Sequence, residues 1–505
     1  MALERPAGLF DRVTEWDDLV RFATEPSTSF RIGVVSGRRR QGKSYILDAI
    51  AHRVGGLYHQ ALEEESAPAL ERLGAAIAAD RGLPGGSLAF PDWSALLRAL
   101  AEPATAAEPN VPSTPIRPSR LVVIDEYPYL LAKSPGIASA IQLAYDEAKL
   151  GRQPPLRLVL CGSSMSVMAG LLSGQRALRG RAILDLVIDP FDFREAAAFW
   201  GLEEDSRLAF LLFCVVGGTP GYRDLLEMGS PTSVADFPAW LARGVLNPSH
   251  AMFRETDYLL AEEPSLTDRA IYQSALAAIA AGRTTSGAVA GALGRPETSV
   301  THVIDGLERA RFIERAGDVL RSRRPILRIT DAMLRFQHAV MRPDLHRFES
   351  RQTVAAWSDA AARFESGVVG PAFEGIARAW TSRYASADTL GGIVARVGST
   401  VVNDDAGHSR LEIDVVALDA RSDDEPGSNP ALLLIGEAKS GPDPRGLADL
   451  HRLERAKELL AGRARTERTR LAIFAAGGFT ADLRSEAARR SDVALVDLER
   501  MYTGD

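Results

Sequence analysis

One stretch of eight residues, 37–44, restricts the possible folds of this chain more than any other part of its sequence. It reads Gly-Arg-Arg-Arg-Gln-Gly-Lys-Ser, with four residues between its two glycines and Lys-Ser directly after the second glycine. The apolar run 31–36 precedes this stretch, and a helical pattern over 45–54 follows it. Glycines between a buried strand and a helix let the backbone wrap an anion, with N–H groups and the helix N-terminus facing it. The pattern therefore predicts a phosphate-binding loop.

Each position of this loop receives a predicted role in nucleotide binding. Lys43 would reach the β- and γ-phosphates of a nucleotide, and the hydroxyl of Ser44 would ligate Mg²⁺. The predicted nucleotide-binding residues of the loop are Gly37, Arg38, Arg39, Arg40, Gln41, Gly42, Lys43 and Ser44. The alternative interpretation is a glycine turn that arises by chance and binds no phosphate.

Two further apolar runs end in polar residues that suit the same chemistry. The run 121–124 ends at Asp125 and Glu126, and the run 156–160 leads into Ser163. At a strand end Asp125 would face the Mg²⁺ shell, while Glu126 would orient or deprotonate the attacking water. Ser163 would contact the γ-phosphate, unless it is an ordinary loop serine. Because these buried strands alternate with helices, we expect an α/β fold with a parallel sheet.

A second group of charged residues lies near the C-terminus. Asp414 falls within one apolar strand pattern, and Glu437 and Lys439 end the next one. Side chains alternate along a strand, so Glu437 and Lys439 share a face that Asp414 can meet from a neighbouring strand. Two carboxylates at one point suit Mg²⁺, and a lysine can orient a metal-bound water or stabilise a phosphodiester transition state. Glu374, on a preceding helix, would complete the cluster. The alternative is a surface strand pair that carries an ion pair.

The rarity of lysine in this chain supports the functional interpretation of both the phosphate loop and the C-terminal charged group. Of the 59 basic residues only five are lysines: Lys43, Lys133, Lys149, Lys439 and Lys457. The general preference for arginine can reflect codon usage alone. A lysine that is kept against this preference favours a position that arginine cannot fill. Lys43 and Lys439 both stand where phosphate chemistry uses a compact ammonium group.

A winged helix-turn-helix pattern occupies the middle of the chain. Its predicted elements are helices over 267–281, 285–293 and 296–311, then a hairpin with strands 312–315 and 319–321 and a turn at 317–318. Between residues 307 and 328 there are seven arginines and three acids, a local net charge of +4. Arg321, Arg323 and Arg324 would contact a nucleic-acid backbone from the hairpin. The alternative is a winged helix that serves as a packing spacer.

Composition restricts the class of protein. The 505 residues carry a net charge of −7, so nucleic-acid binding requires a local basic patch. The two cysteines are too few for a disulfide framework and favour a reducing compartment. The N-terminal residues lack the apolar core of a signal peptide, and the uncharged run 158–175 is too polar to span a membrane. We therefore expect a cytoplasmic protein without membrane segments.

These motifs resemble those of the AAA+ superfamily and, within it, the archaeal-type ATPase family. The resemblance covers most of the chain and includes the segments 10–15, 37–44, 123–126, 160–164, 217–220 and 328–336. It implies a parallel-sheet ATPase core, an all-α lid, a winged helix-turn-helix and a C-terminal α/β domain. The arginine triplet within the phosphate loop and the proline-rich insertion at 101–120 depart from the family pattern.

The C-terminal pattern resembles the PD-(D/E)XK restriction-endonuclease-like fold, which the same ATPase family carries at its C-terminus. The matched positions are Glu374, Asp414, Glu437 and Lys439. Ile413 stands where a proline often precedes the aspartate. The resemblance implies four domains: an ATPase core at 1–195, a helical lid at 196–262, a winged helix at 263–345 and a nuclease-like domain at 361–505.

The resulting hypothesis is an ATP-hydrolysing protein that binds nucleic acid, with DNA favoured, and that can cut it at a Mg²⁺-dependent C-terminal site. ATP and Mg²⁺ are the expected cofactors, and assembly into a homo-oligomer is compatible with the pattern. One alternative is a nucleotide-gated regulatory switch whose C-terminal domains bind a partner without cutting any phosphodiester. Another is a DNA-binding regulator with a vestigial ATPase, which the intact Lys43, Asp125 and Glu126 disfavour.

Overall fold

A computed structural model describes residues 3–27, 29–84, 86–102, 119–174, 176–321, 325–404, 407–420 and 429–505. The chain divides into two compact units, one comprising Met1–Pro190 with Ala261–Ser265 and the other comprising Phe191–Leu260 with Leu266–Asp505. The finer division into four domains stays a prediction. Most of the proline-rich insertion, at 103–118, lies outside the described residues. In the described ranges, no helix is both long and apolar enough to cross a bilayer.

The first unit is an α/β sandwich around one parallel sheet. Its strands are β1 (Arg31–Ser36), β2 (Leu57–Gln60), β3 (Leu121–Asp125), β4 (Arg157–Gly162) and β5 (Ala182–Val187). Its helices are α1 (Val13–Thr24), α2 (Lys43–Arg53), α3 (Ser66–Asp80), α4 (Trp93–Ala101), α5 (Tyr127–Lys133), α6 (Ile137–Lys149) and α7 (Met165–Leu171). The strand order is β2-β3-β4-β1-β5, and every neighbouring pair is parallel. The prediction of a parallel sheet is confirmed.

Burial on both faces explains why the strands of this sheet read as unbroken apolar runs. Along β1, Ile32 and Val34 pack into one apolar cluster, whereas Val35 packs into another. Each strand of the sheet interior therefore needs apolar side chains at successive positions. The carboxyl ends of β1, β3 and β4 meet at one edge, because these strands are parallel and adjacent. Ligands of open α/β sheets bind at this edge.

The second unit contains most of the helices. They are α8 (Phe193–Trp200), α9 (Ser206–Val216), α10 (Gly221–Leu226), α11 (Phe237–Arg243), α12 (Glu255–Ala261), α13 (Arg269–Ala280), α14 (Ser286–Leu293), α15 (Glu297–Arg309), α16 (Ala332–Phe336), α17 (Leu345–Glu349), α18 (Thr353–Phe364), α19 (Gly370–Arg383), α20 (Ala387–Leu390), α21 (Leu447–Leu460), α22 (Ala481–Arg489) and α23 (Leu498–Thr503). Short 3₁₀ turns occur at Ala251–Arg254 and Arg342–Asp344, and π-helical turns at Gln337–Met341 and Glu365–Val369.

The strands of the second unit form a hairpin and a mixed sheet. They are β6 (Ile313–Ala316), β7 (Ile326–Ile329), β8 (Val394–Asp404), β9 (Ser409–Asp419), β10 (Leu432–Lys439), β11 (Arg470–Ala475) and β12 (Val493–Val496). The sheet order is β12-β11-β10-β9-β8. β8, β9 and β10 are antiparallel, whereas β10, β11 and β12 are parallel. The predicted pairing of the strands that carry Asp414 and Glu437 is thus present.

Three helices and the hairpin occur in the predicted order, with α13, α14 and α15 sharing one apolar cluster with β6 and β7. Thr285 caps α14 by accepting from the N–H of Ala288, and Gly294 ends that helix in a left-handed conformation. The second hairpin strand was predicted at 319–321 and lies instead at Ile326–Ile329. The reason is a non-local pairing, since the N–H of Val319 donates to Ser399 of β8 at 3.1 Å.

The segment 345–360, which joins the predicted winged helix to the predicted nuclease-like domain, is helical. It comprises α17 and most of α18, on which Ala356, Ala360 and Phe364 are buried. These positions recur every four residues, so they form one buried stripe along the helix. The polar majority of the segment concealed that stripe.

Candidate functional site

The phosphate loop joins β1 to α2 at the carboxyl edge of the parallel sheet. Gly42 directly precedes α2 and has a φ of +86°, which favours glycine. A Cβ on Gly37 would lie 2.5 Å from the carbonyl oxygen of Ile188, so that position also requires glycine. No described side chain caps the N-terminus of α2. The first N–H groups of this helix therefore face the loop, as an anion site requires.

Lys43 is held inside the loop. Its side chain is buried, and its Nζ donates to the carbonyl oxygen of Arg38 at 2.9 Å. Arg40 takes a left-handed φ of +67°, which helps the loop turn around this ammonium. The guanidinium of Arg12 donates to the carbonyl oxygen of Gln41 at 3.4 Å and braces the loop from α1's start. A positive charge thus lies where a phosphate would enter.

Asp125 lies fully buried at the end of β3 and accepts several hydrogen bonds. Tyr58 Oη donates to its Oδ2 at 2.6 Å, and the N–H of Glu126 donates to its Oδ1 at 2.9 Å. Burial raises the pKa of Asp125, but hydrogen bonds from Cys161, Ser44 and Tyr58 outweigh it and leave the pKa below its ordinary value. The carboxylate is therefore ionised, and it lies near Ser44 in the first turn of α2.

Glu126, which directly follows Asp125, and Ser163 also belong to the site. Glu126 has a left-handed φ of +52°, and its Oε2 accepts a hydrogen bond from Ser163 Oγ at 3.2 Å. Burial raises the pKa of Glu126, and the charge of Asp125 raises it further, while the charge of Lys43 opposes both. A carboxylate with a raised pKa is a better proton acceptor near neutral pH. The structure thus brings together Lys43, Ser44, Asp125, Glu126 and Ser163.

Sequence reasoning missed two acids from the segment Ala261–Ser265. Glu262 pairs with Arg39 of the phosphate loop. Glu263 is buried and accepts from Ser164 Oγ at 3.0 Å and from the N–H of Met165 at 2.7 Å. These partners lie about a hundred positions away in sequence, so no local pattern could have indicated them.

Tyr58 and Cys161, the other donors to Asp125, were also missed. The strand β2 that carries Tyr58 has four residues and contains His59 and Gln60, so its apolar pattern is weak. The one sequence signal that a new element begins there is the pair Gly55 and Gly56, directly before the strand. Cys161 lies on the predicted third strand, but a buried cysteine usually indicates only core packing.

The C-terminal group assembles on β9 and β10. Their antiparallel register pairs Gly436 with Val415, and its continuation places Glu437 opposite Asp414. Asp414 Oδ2 accepts the N–H of Ala438 at 2.8 Å. Lys439 Nζ lies 2.6 Å from Oε1 of Glu437. The two carboxylates are buried and the ammonium is partly exposed. The three groups lie where the end of β10 pairs with the middle of β9.

Further charges surround this group. Arg378 on α19 donates to the carbonyl oxygen of Asp414 at 3.0 Å and lies 3.4 Å from the carboxylate of Glu374. Arg452 on α21 lies 3.6 Å from Oε1 of Glu437. Neither arginine was predicted. Within the described ranges, no group of three or more His, Cys, Asp or Glu has the arrangement of a metal site. Asp414, Glu437 and Lys439 lie close together, and their role in binding a metal stays a prediction.

Asp414 has a strongly shifted pKa. Burial raises it most, and the nearby charges of Glu374 and Glu437 add to the effect. The N–H of Ala438 and the ammonium of Lys439 act in the opposite direction. The result is a pKa of about 7 in place of 3.8. Ionising this carboxylate in the folded protein therefore costs free energy, and above neutral pH the fold bears that cost in full.

We expect Asp414→Asn to stabilise the protein at pH 8 and to do so much less at pH 5. A folded-state pKa above the unfolded value favours folding at low pH, and this contribution is lost as the pH rises through about 7. A pKa raised from 3.8 to about 7 corresponds to about 4 kcal/mol when the group is fully ionised. Asparagine keeps the acceptor for Ala438 without the charge.

The measurement is the thermal unfolding of both proteins at the two pH values. Asp443→Asn is the matched control, because Asp443 is exposed in the same unit. An equal change in melting temperature at pH 5 and pH 8 would contradict the raised pKa of Asp414.

The predicted nucleic-acid contacts of the hairpin are only partly described. Arg323 and Arg324 lie outside the described residues. Both terminal nitrogens of Arg321 are buried and have no hydrogen-bond partner among the described residues. Thr400 Oγ1 donates to Asp318 at 2.7 Å, so the start of this segment is fixed to β8. The terminal nitrogens of Arg321 are therefore not accessible to a phosphate in this conformation.

Comparisons with known proteins give distant similarities. No family model matches the chain. The uncharacterised protein MJECL04 of Methanocaldococcus jannaschii is 24% identical over 332 residues, which cover 64% of this chain and 67% of that protein. The Walker-type ATPase PABY2304 of Pyrococcus abyssi is 19% identical, with a TM-score of 0.47 over 65% of this chain and 96% of that one.

Two other solved structures are similar at lower scores. The Aeropyrum pernix ORC2 protein, in its ADPNP–ADP complexes, is 13% identical, with a TM-score of 0.40 over 71% of this chain and 97% of that one. Cdc6p from Pyrobaculum aerophilum is 13% identical, with a TM-score of 0.32 over 67% of this chain and 94% of that one. The functional assignment therefore rests on the geometry of the two sites.

Proposed function

We propose that this chain binds ATP at the loop 37–44 and hydrolyses it in the presence of Mg²⁺. One observation carries the proposal: the side chains of Lys43, Ser44, Asp125 and Glu126 meet at the carboxyl edge of one parallel sheet. A chance glycine turn would not be accompanied by a buried ionised carboxylate in contact with the first turn of the following helix. The test is Mg²⁺-dependent release of phosphate from ATP by the intact chain.

The residues present fit a magnesium ion. Ser44 lies close enough to Asp125 to help lower the pKa of its carboxyl, so two hard oxygen ligands lie near each other. These two residues would hold Mg²⁺, which would neutralise charge on the β- and γ-phosphates when bound. Oxygen-only ligands and an ionised carboxylate match the preference of this ion for hard donors.

The protein's own groups account for the remaining chemistry. The loop N–H groups bind the phosphates, and the ammonium of Lys43 stabilises the negative charge of the transferring phosphoryl group. Glu126 orients the attacking water and accepts its proton, while Ser163 donates a hydrogen bond to Oε2 of that carboxylate. A bond forms between the water oxygen and the γ-phosphorus, and the bond to the β–γ bridging oxygen breaks. The products are ADP and inorganic phosphate.

We propose a second activity, Mg²⁺-dependent cleavage of nucleic acid at Asp414, Glu437 and Lys439. The observation that favours it is the meeting of two buried carboxylates with a partly exposed ammonium where the end of β10 lies beside the middle of β9. Asp414 and Glu437 would hold the metal, and Lys439 would stabilise charge on the phosphodiester. Glu374 is close enough to raise the pKa of Asp414. The alternative is a nucleotide-gated switch whose C-terminal region binds a partner without cutting.

Nucleic-acid binding by the arginine segment is part of this proposal. Replacing Arg321, Arg323 and Arg324 together with alanine should weaken DNA binding and lower its log–log salt slope by about 0.7–0.9 for each lost phosphate contact. Arg321→Ala alone should leave the slope nearly unchanged, because its terminal nitrogens are buried. Fluorescence anisotropy over a salt series measures both. An unchanged slope in the triple variant would exclude this segment as a phosphate contact.

We also propose a cellular location and an assembly state for this protein. Cys161 and Cys214 are both free and buried, which is typical of proteins in a reducing compartment. We therefore place the protein in the cytoplasm. Assembly into a homo-oligomer is proposed from the resemblance to AAA+ ATPases alone.

A further inference from the structure

Tyr58 donates to Asp125 from a strand outside both the loop 37–44 and the acidic pair at 125–126. It lies on β2, whose register places it beside Val123 of β3. Its hydroxyl donates to Asp125 Oδ2 at 2.6 Å, across 67 positions of sequence. A charge-assisted hydrogen bond of this length is among the stronger ones in proteins. The tyrosine thus fixes the rotation of the carboxylate about its side-chain axis.

The other donors cannot replace this contact. The N–H of Glu126 holds Oδ1, the opposite oxygen of the carboxylate. Ser44 donates as well, but its hydroxyl is one of the groups that would bind the metal. Cys161 offers a thiol, which is a weak donor. Within the part of the chain that the structure describes, Tyr58 is therefore the one strong side-chain donor to Asp125 that is not itself a predicted ligand.

We infer that Tyr58 is a positioning residue that presents Asp125 to the magnesium ion of a bound nucleotide, an inference that rests on the proposed ATP site. Groups that orient a metal ligand contribute to metal affinity because the ligand would otherwise lose rotational freedom on binding. Tyr58 should accordingly strengthen the binding of Mg²⁺–nucleotide while contributing nothing to metal-free nucleotide. A residue that only packs in the fold would affect both equally.

The experiment compares the affinity for ADP with Mg²⁺ and with EDTA, by calorimetric titration of the full chain. In Tyr58→Phe the affinity in EDTA should equal that of the wild type. The strengthening of binding by Mg²⁺ should fall by about 10–100-fold. Tyr145→Phe is the matched control, since Tyr145 is another ring of the first unit and packs against Phe30. It should keep the wild-type affinities under both conditions.

A double-mutant cycle with Asp125→Asn separates orientation from packing. If Tyr58 acts through the carboxylate, Tyr58→Phe should have no further effect on the Mg²⁺ dependence once Asp125 is replaced. An undiminished effect in that background would overturn the inference. So would an unchanged Mg²⁺ dependence in Tyr58→Phe, or an equal loss of affinity with Mg²⁺ and with EDTA. A wild-type chain that binds no nucleotide would instead overturn the proposed ATPase itself, which keeps the two failures distinct.

Discussion

Replacing Lys43 with alanine is expected to abolish ATP hydrolysis. The ammonium is buried within the loop and is the positive charge that would neutralise the transferring phosphoryl group. Alanine leaves the loop backbone intact but removes that charge from the site. The measurement is phosphate release with Mg²⁺ and ATP in excess. Lys133→Ala serves as the control, because Lys133 is a half-exposed lysine of the same unit that pairs with Glu65.

Glu126→Gln tests the residue of the same site that is proposed to activate the attacking water. Glutamine can accept the hydrogen bond of Ser163 but cannot take a proton, so ATP should still bind while turnover falls by about 10²–10⁴-fold. The wild-type rate should fall with decreasing pH while the medium is still above the ordinary pKa of a glutamate, because burial and Asp125 raise the pKa of Glu126. Hydrolysis that is unchanged in both variants would exclude this loop as the site of catalysis.

The features of the ATP site that could be predicted are those that a local stretch of sequence encodes. Glycines placed around Lys43 and an acidic pair after an apolar run give the loop and the end of β3 directly, because backbone geometry and strand burial depend on neighbouring residues. Tyr58 and Glu263 could not be predicted in this way. Their partners are 67 and 99 positions away, and only the folded sheet brings them together.

The second unit shows the same limit in its hairpin. Residues 319–321 have the apolar and basic pattern of a returning strand, yet Val319 bonds to β8, and the hairpin closes through Ile326–Ile329. β8 itself was not predicted, since several of its positions are polar or exposed. The apolar strand patterns that contain Asp414 and end at Lys439 correspond to β9 and β10, because both strands carry buried apolar runs. The meeting of Asp414 and Glu437 followed from that pairing alone.

The largest effect in the second unit is expected from Lys439. Its ammonium lies 2.6 Å from Glu437 and stays partly exposed, so it can reach a phosphate that approaches the two carboxylates. Lys439→Ala should reduce cleavage of DNA by about 10²–10³-fold, as for other preorganised groups that stabilise charge. Lys439→Arg should also be poor, because a planar guanidinium cannot occupy the space of a compact ammonium.

The assay is cleavage of single-stranded and double-stranded DNA with Mg²⁺ or Mn²⁺, with and without ATP. Arg489→Ala is the control for loss of a positive charge, since that side chain is 77% exposed on α22 of the same unit. ATP hydrolysis by each variant should be retained, because Lys439 belongs to the second unit and the ATP site to the first. The nuclease proposal would be falsified by a wild-type chain that cuts nothing under any of these conditions, or by equal cutting after both substitutions. The partly exposed ammonium and its two carboxylates would then be interpreted as the partner-binding surface of a nucleotide-gated switch.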